Sequence, residues 1–254
     1  MLKIILSGCC GRMGRSIAQQ VNADEDVRIV AGVDVAGDAY DCFPVYRSVF
    51  DVTEPADVIV DFSHHSSVGS LIEFAVSHSY PVVLSTTGHT QQEQELVDNA
   101  SKKIAVFQSA NMSLGVNVLL SLCKKAAAVL HDNFDIEIVE MHHNQKLDAP
   151  SGTALLLANG INQMLPVAAE YEYNRQPKRE KRPKNQIGIH SLRGGTVVGE
   201  HSVIFAGHNE TLTLSHSASS REVFACGALR AAKYLRGKEH GKYSMDDLIQ
   251  ATLS

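Results

Sequence analysis

The chain has 254 residues, of which 44% are hydrophobic and 20% charged, and its formal net charge is −5 at pH 7. These values fit a globular protein of one large or two modest domains. They argue against nucleic-acid or membrane-surface binding, because both need a strongly positive surface. The five cysteines include no CxxC pair, so we expect free thiols and a cytoplasmic location.

Short runs rich in Val and Ile alternate with helical patterns through the first half of the chain. The predicted strands are Lys3–Ser7, Val27–Val33, Val58–Phe62, Pro81–Ser85 and Ile104–Gln108, with helices at about 12–22, 66–79 and 90–101. The strand runs are apolar rather than strictly alternating, which is typical of buried parallel strands. The alternation of strand and helix therefore predicts a doubly wound, Rossmann-like α/β domain.

The pattern changes after a long predicted helix over Leu114–Leu130. The elements that follow are a strand at Phe134–Met141, a helix at about 151–165, a basic surface loop at 171–186, and β-rich runs at Ile187–Arg193, Gly199–Ala206 and Thr211–Ser217. We expect the three runs to form an antiparallel meander with one solvated face. A helix at about 220–235 and a short terminal helix end the chain, so the middle is predicted to be α+β.

The first predicted strand ends in a loop that contains Gly8, Gly11 and Gly14. Glycine between a strand and a helix lets the backbone approach a pyrophosphate at the N-terminus of the helix. The spacing is GxxGxxG, with Cys10 in place of the second glycine of the usual GxGxxG. Taken alone, the pattern also fits a plain strand–helix turn.

Asp34 strengthens the case for a dinucleotide site, because it follows the second predicted strand, 20 residues after Gly14. An acid at this place accepts hydrogen bonds from the ribose hydroxyls of NAD and repels a 2′-phosphate. The next residue is Val35, so no adjacent arginine compensates. We therefore predict a preference for NADH over NADPH; the alternative is that Asp34 only begins a turn.

Small polar residues follow three further predicted strands, at 61–63, 85–88 and 109–112. The carboxyl ends of parallel strands form the edge where open α/β sheets bind ligands. Backbone and hydroxyl groups there can line a nicotinamide site.

The segment from His142 to Thr153 carries the densest chemistry in the chain. Two histidines and Lys146 follow a strand, and Asp148 or Ser151 can cap the helix that comes next. The N–H groups of Gly152 and Thr153 would lie at the positive end of that helix, where carboxylate or phosphate binds. A histidine titrates near neutrality and can donate a proton. The alternatives are a structural metal or an inert loop, but no recognised metal spacing occurs, and we predict no metal.

Several motifs in one order resemble the 4-hydroxy-tetrahydrodipicolinate reductase (dihydrodipicolinate reductase) family of lysine biosynthesis. The motifs are the loop 8–14, similar to GxxGRMG; 85–88, similar to GTTG; 111–117; 140–154, similar to ExHHxxKxDAPSGTA; 189–193; 199–201; and 219–228. The resemblance covers nearly the whole chain, and the HHxxKxDAPSGTA motif is its most specific part.

The resemblance implies a role for each matching residue. His142 would be the general acid and Lys146 a second proton donor, and substrate carboxylates would be held by His143, Lys146, Gly152 and Thr153. The cofactor, NADH or NADPH, would be lined by Gly8, Cys9, Cys10, Gly11, Arg12, Met13, Asp34, Ser85, Thr86, Thr87, Ser109, Ala110, Asn111 and Met112.

The resemblance also implies the architecture. An N-terminal Rossmann-like domain, residues 1–113 and 220–254, would be completed by the C-terminal helices. An α+β mixed-sheet domain, residues 114–219, would bind the dicarboxylate substrate and build a homotetramer.

Three positions depart from the family pattern, namely Cys10, Ser85 and the stretch 61–65. None of them lies in the proton-donating loop, but all bear on how the cofactor is held. Two other functions therefore stay open at this point: a reductase of a different imine dicarboxylate, and a catalytically silent dinucleotide-sensing protein.

Overall fold

A computed structural model of the chain describes residues 1–37, 40 and 42–253. They form two compact units: unit 1 comprises Met1–Leu114 and Arg221–Ser254, and unit 2 comprises Gly115–Ser220. In the part of the chain that is described, no helix has both the length and the apolar character needed to span a membrane.

Strands and helices follow each other in nearly the predicted order. The strands are β1 (Leu2–Ser7), β2 (Val27–Val33), β3 (Val45–Tyr46), β4 (Val58–Asp61), β5 (Val82–Leu84), β6 (Ala105–Gln108), β7 (Asp135–His142), β8 (Glu170–Glu172), β9 (Gln186–Arg193), β10 (Gly199–Ala206), β11 (Thr211–Ala218) and β12 (Gly241–Tyr243). The helices are α1 (Arg12–Val21), α2 (Val68–His78), α3 (Gln91–Ala100), α4 (Leu114–Leu130), α5 (Gly152–Asn162), α6 (Glu222–Leu235) and α7 (Met245–Leu253).

Unit 1 is built on a parallel sheet in the order β12-β6-β5-β4-β1-β2-β3. Both faces are covered, as a parallel sheet requires: Ile4 and Leu6 of β1 pack in one core with residues of α1 and α6, whereas Ile5 packs in the other with α2 and α3. The strand order reverses between β1 and β4, and ligands bind at such a switch point in open α/β sheets. The predicted Rossmann-like fold is thus confirmed, and β3 and β12 add edge strands that the apolar pattern did not predict.

Unit 2 holds a separate mixed sheet in the order β11-β10-β7-β9-β8. Ile136 and Ile138 of β7 and Phe205 of β10 point into a core with α4 and α5. The predicted antiparallel meander is confirmed for β10 and β11, which pair antiparallel, but it is wrong for β9, because β10 pairs with β7 rather than with β9, and β9 runs parallel to β7. Every second residue of β7 is buried, which fits a central strand better than an edge strand.

The basic segment 171–186 is anchored to the sheet of unit 2. Its first residues belong to β8, which pairs with β9. Arg182 donates hydrogen bonds to Asp135 at 2.9 Å and to Glu137 at 3.0 Å. The predicted surface loop is therefore confirmed for residues 173–185, whereas the ends of the segment belong to β8 and β9. The anchoring by Arg182 was not predicted, since its partners on β7 are remote in sequence and leave no local signal.

Candidate active site

The glycine loop of unit 1 packs too closely to admit side chains. Gly8 has φ +76°, and a Cβ there would lie 2.5 Å from the carbonyl oxygen of Phe62. A Cβ at Gly14 would lie 2.2 Å from the carbonyl oxygen of Gly8. Helix α1 begins after Gly11 with no side-chain cap, and the N–H groups of a first helical turn lack partners within the helix. The loop therefore fits a phosphate group at the N-terminus of α1.

A cleft of about 530 Å³ opens beside this loop and is lined by Gly8, Gly11, Asp34, Arg47 and His64, among others. The Asp34 carboxylate is held by the backbone, since it accepts hydrogen bonds from the Cys10 N–H at 2.9 Å and the Ala36 N–H at 3.0 Å. An acidic side chain fixed at the end of β2 is the arrangement that binds ribose hydroxyls in dinucleotide sites.

A second cleft of about 380 Å³ gathers residues from the remaining strand ends of unit 1. Its lining comprises Arg12, Met13, Phe62, Ser85, Thr87, Ala110, Asn111, Met112, Arg221 and Phe224. Arg221 and Phe224 come from the start of α6, so the C-terminal part of the chain contributes to a pocket formed mainly by the N-terminal part. Neither residue was among the predicted cofactor residues, although the family motif at 219–228 could have marked them.

Asp61 ties together the loops that follow β4 and β5. Its carboxylate is 1% exposed and accepts hydrogen bonds from Ser63 Oγ at 2.5 Å and Thr86 Oγ1 at 2.6 Å. Thr86 is thereby turned toward Asp61, while Ser85 and Thr87 on either side line the second cleft. The Ser85 hydroxyl is buried and has no hydrogen-bond partner among the described residues.

Four of the predicted cofactor residues do not line either of these two clefts, namely Cys9, Cys10, Thr86 and Ser109. The Cys9 thiol is buried in the core, and burial raises its pKa to about 12. Ser109 Oγ donates to the carbonyl oxygen of Asn111 at 2.8 Å. Ligand atoms of Cys9, Cys10 and Asp34 lie within 4.8 Å of one another, but a buried thiol that keeps its proton is a poor metal ligand.

The centre of unit 2 is a buried carboxylate–imidazole pair on β7. Residues two apart on a strand share a face, and Glu140 lies beside His142 with 2.6 Å between its Oε2 and the ring Nδ1. Glu140 also accepts hydrogen bonds from both terminal nitrogens of Arg193, at 2.8 and 2.9 Å, and from the Ser151 N–H at 3.1 Å. Burial alone would raise the Glu140 pKa, but these donors outweigh it and hold the pKa at about 2.

His142 is positioned to use its second ring nitrogen. The bond to Glu140 engages Nδ1 and leaves Nε2 for a ligand. Burial lowers the His142 pKa below 6.5, and the Glu140 carboxylate opposes that effect. The ring packs edge-on against His201, 5.1 Å away, whose pKa burial lowers to about 4. His201 is therefore neutral, and it pairs with Ser151 Oγ at 3.0 Å.

The predicted substrate residues surround the start of α5. Ser151, one of the two predicted candidates, caps the helix by accepting a hydrogen bond from the Ala154 N–H at 3.1 Å. A Cβ added at Gly152 would meet nothing within 4 Å, so the first turn faces open space beside the half-buried Thr153. The loop before it is fixed by backbone bonds, including the one from the His143 N–H to the Val197 carbonyl at 2.7 Å.

Lys146 carries the positive charge of this loop. Its Nζ lies 2.8 Å from an Asp148 oxygen, and the Asp148 side chain is 60% exposed. An exposed ion pair of this kind contributes at most about 1 kcal/mol. A carboxylate ligand could therefore replace Asp148 as the partner of Lys146 at small cost.

Gly199 leaves room for the His142 ring. A Cβ at this position would lie 3.0 Å from Nε2 and 3.4 Å from Cδ2. We therefore expect Gly199→Ala to displace the ring and lower kcat by about tenfold or more, because small misplacements of a catalytic group have large effects. Steady-state kinetics would measure this. The matched control is Gly195→Ala, where a Cβ meets no atom within 4 Å although φ is +52°; equal kinetic losses in both variants would contradict the steric explanation.

Sequence reasoning missed three participants in the site of unit 2, namely Glu140, Arg193 and His201. Glu140 lies in the family motif at 140–154. Its place two residues before His142 could have marked it as the carboxylate that orients the imidazole. Arg193 pairs with His142 in the register of β7 and β9, and His201 comes from β10. Both residues lie in the family motifs at 189–193 and 199–201, which could have marked them, but no local pattern places them beside His142.

A Rossmann-type sheet with a phosphate-binding loop, in a chain that also carries a carboxylate-oriented histidine, defines a nucleotide-dependent oxidoreductase. Family models for the N-terminus and C-terminus of dihydrodipicolinate reductase match residues 2–112 and 115–249. The chain therefore belongs to the dihydrodipicolinate reductase family, whose enzymes use a pyridine nucleotide.

Individual relatives agree with the family match. A 4-hydroxy-tetrahydrodipicolinate reductase from Caldanaerobacter subterraneus is 54% identical over 98% of this chain and 99% of the relative. One from Clostridium novyi is 47% identical over 99% of each chain. The solved structure of a dipicolinate-bound dihydrodipicolinate reductase from a Paenisporosarcina species superposes with a TM-score of 0.80 at 24% identity, covering 96% of this chain and 97% of that one; it supports the fold.

Proposed function

We propose that this chain, in the cytoplasm, reduces 4-hydroxy-tetrahydrodipicolinate to tetrahydrodipicolinate in lysine and diaminopimelate biosynthesis. The observation that carries the proposal is the Glu140–His142 pair next to Lys146 and the N-terminus of α5. A proton donor and a cradle for carboxylates are what reduction of a cyclic imine dicarboxylate requires. The reactions of the relatives, which share about half of the residues over the full length, support the same substrate.

The substrate is held through its carboxylates. Lys146 offers an ammonium group that is only weakly paired with Asp148, and the first turn of α5 offers N–H groups and the hydroxyl of Thr153. His143 belongs to the loop between β7 and α5 that also carries Lys146. Fixing both carboxylates orients the ring and supplies part of the rate gain by removing rotational freedom before reaction.

His142 supplies the proton. When bound, the reduced pyridine nucleotide supplies hydride, which goes to C4 of the substrate ring after loss of water. Glu140 holds the imidazole by Nδ1. Nε2 therefore carries the proton, which passes to the substrate where carbanion or enamine character develops. Burial favours the neutral form of His142. Binding of a dianionic substrate favours the protonated form instead, because nearby negative charge stabilises the imidazolium. Protonation of His142 is thereby linked to substrate binding.

Oxidation of NADH in the presence of enzymatically generated substrate tests the proposal. We expect turnover that depends on the substrate and stops when it is consumed. Binding of NADH without turnover of this or any other imine would favour a dinucleotide sensor. Turnover of a different imine dicarboxylate with higher kcat/KM would favour a reductase of another substrate.

We expect NADH to be the preferred cofactor. Asp34 is fixed at the end of β2, and its negative charge favours a ribose with free hydroxyls over one with a 2′-phosphate. The expected ratio of kcat/KM values for NADH and NADPH is about ten, which corresponds to about 1.4 kcal/mol. Asp34→Asn should reduce this ratio, and a strong preference of the parent enzyme for NADPH would contradict the assignment.

We also propose a homotetramer formed through unit 2. One face of its sheet packs against α4 and α5, whereas the other carries the partly buried apolar side chains of Val139, Met141 and Ile204. An uncovered sheet face with such side chains is typical of an interface between subunits. Light scattering should give four times the monomer mass, and Ile204→Glu should reduce it. A monomer at micromolar concentration would overturn the proposal.

A further inference from the structure

The helix-covered face of the sheet in unit 2 changes from apolar to polar at one end. Along β10 the buried side chains include His201, Val203 and Phe205. Val203 and Phe205 belong to the core with α4 and α5, and His201 lies on the same face, because residues two apart on a strand share a face. His201 pairs with Glu140 in the register of β10 and β7. It is therefore an internal residue of the sheet beside the buried carboxylate of the site.

Two contacts of the His201 imidazole reach two different parts of the site. The ring packs edge-on against that of His142, with 5.1 Å between the centroids and an angle of 76° between the planes. Its Nε2 lies 3.0 Å from Ser151 Oγ, and the same oxygen accepts the hydrogen bond from the Ala154 N–H that caps α5. One side chain thus touches both the ring that carries the proton and the residue that begins the carboxylate-binding helix.

His201 can restrain His142 without opposing its protonation. Burial lowers the pKa of His201 to about 4, so its ring is neutral near pH 7. A cation at this distance would disfavour the protonated form of His142, whereas a neutral ring does not. The hydrogen bond between Nδ1 and Glu140 fixes one edge of the His142 ring, and the edge-on contact with His201 limits the rotation that this bond alone permits.

We infer that His201 is a positioning residue for the reduction, which holds the His142 ring and the Ser151 cap of α5 in a fixed relation to each other. This inference rests on the proposed function, because it presupposes that His142 donates the proton and that the start of α5 binds the substrate carboxylates. A proton donor and a carboxylate cradle that are joined through one buried side chain keep their separation when the substrate binds. Such precision matters, since a displacement of about 1 Å can cost about 100-fold in rate.

Two substitutions of His201 separate its two contacts, and steady-state kinetics of the full chain measures both. His201→Gln keeps a hydrogen-bonding group for Ser151 but removes the ring, so we expect kcat to fall about tenfold and KM for the substrate to stay within about twofold. His201→Phe keeps the ring but removes the hydrogen bond, so KM should rise about three- to tenfold while kcat stays within about twofold. His201→Ala should show both losses.

A second position tests the hydrogen bond from its other end. Ser151→Ala removes the same bond and leaves His201 in place, so it should raise KM even if His201→Phe does not fold. Combining the two substitutions should raise KM by less than the product of the single effects, because both remove one shared interaction. The matched control is His216→Gln, a half-buried histidine that pairs with His201 in the register of β10 and β11; it should leave kcat and KM within about twofold.

The split between kcat and KM distinguishes positioning from a merely structural role. Thermal unfolding followed by circular dichroism identifies the variants that fold, and their Kd for NADH should stay within about twofold, because unit 1 is unchanged. Parallel losses of kcat and KM in His201→Gln and His201→Phe, no loss in either, or an unchanged KM in Ser151→Ala would overturn the role of His201 while leaving the proposed function intact. Failure of the parent chain to reduce the substrate would overturn both proposals.

Discussion

Replacing His142 with glutamine should lower kcat by about 100- to 10,000-fold, the range that a positioned general acid contributes, and leave the Kd for NADH within about twofold. The amide of glutamine can still donate to Glu140, so the buried carboxylate keeps a partner. The amide is far too weak an acid to transfer a proton to the substrate, however. The loss should therefore fall on the chemical step. Rapid-mixing kinetics and NADH titration separate the two effects, and turnover near that of the parent would refute the assignment of His142.

The pH dependence of the parent enzyme provides a second readout for the same residue. Because burial lowers the His142 pKa below 6.5, kcat/KM should fall as pH rises through a value below 6.5, where the free enzyme loses the proton. The corresponding limb of kcat should lie at higher pH, because the bound dianion stabilises the imidazolium. His142→Gln should lack both limbs. His208→Gln, an exposed histidine of unit 2, should retain them.

The parts of the site that lie close together in sequence were the parts that sequence could predict. The loop from His142 to Thr153 connects a strand to a helix, and its cap at Ser151, its open glycine and its lysine all follow from local chemistry. The same holds for the glycine loop and for most strands of unit 1, whose apolar runs are buried on both faces of a parallel sheet.

The features that sequence did not predict depend on pairings between strands that are distant in sequence. No local pattern indicates that β7 lies between β10 and β9. Neither the sheet order of unit 2 nor the pairing of Arg193 with Glu140 was therefore predictable. Short edge strands such as β3 and β12 bury too few side chains to produce a recognisable period.

Removing the guanidinium of Arg193 should have the largest effect on stability. The Glu140 side chain is fully buried, whereas that of Arg193 is 20% exposed, so Arg193→Leu leaves a buried carboxylate without its counter-charge. Breaking such a pair costs about 3–5 kcal/mol in the free energy of unfolding. Urea unfolding followed by circular dichroism at pH 7 measures it. Arg179→Leu, an exposed arginine of the same unit, is the control and should change little.

A double variant and a pH series identify the cause. Glu140→Gln combined with Arg193→Leu should regain part of the loss, because no charge is then left buried. A folded-state pKa of about 2 against an ordinary value of 4.5 means that the Glu140 contribution is present above pH 4.5 and is lost as pH falls toward 2. The difference between the parent and Arg193→Leu should therefore shrink over that window. A difference that stays constant down to the acid transition would instead assign the loss to the packing of the Arg193 side chain and to its hydrogen bond with the carbonyl oxygen of Asp148, 2.6 Å away.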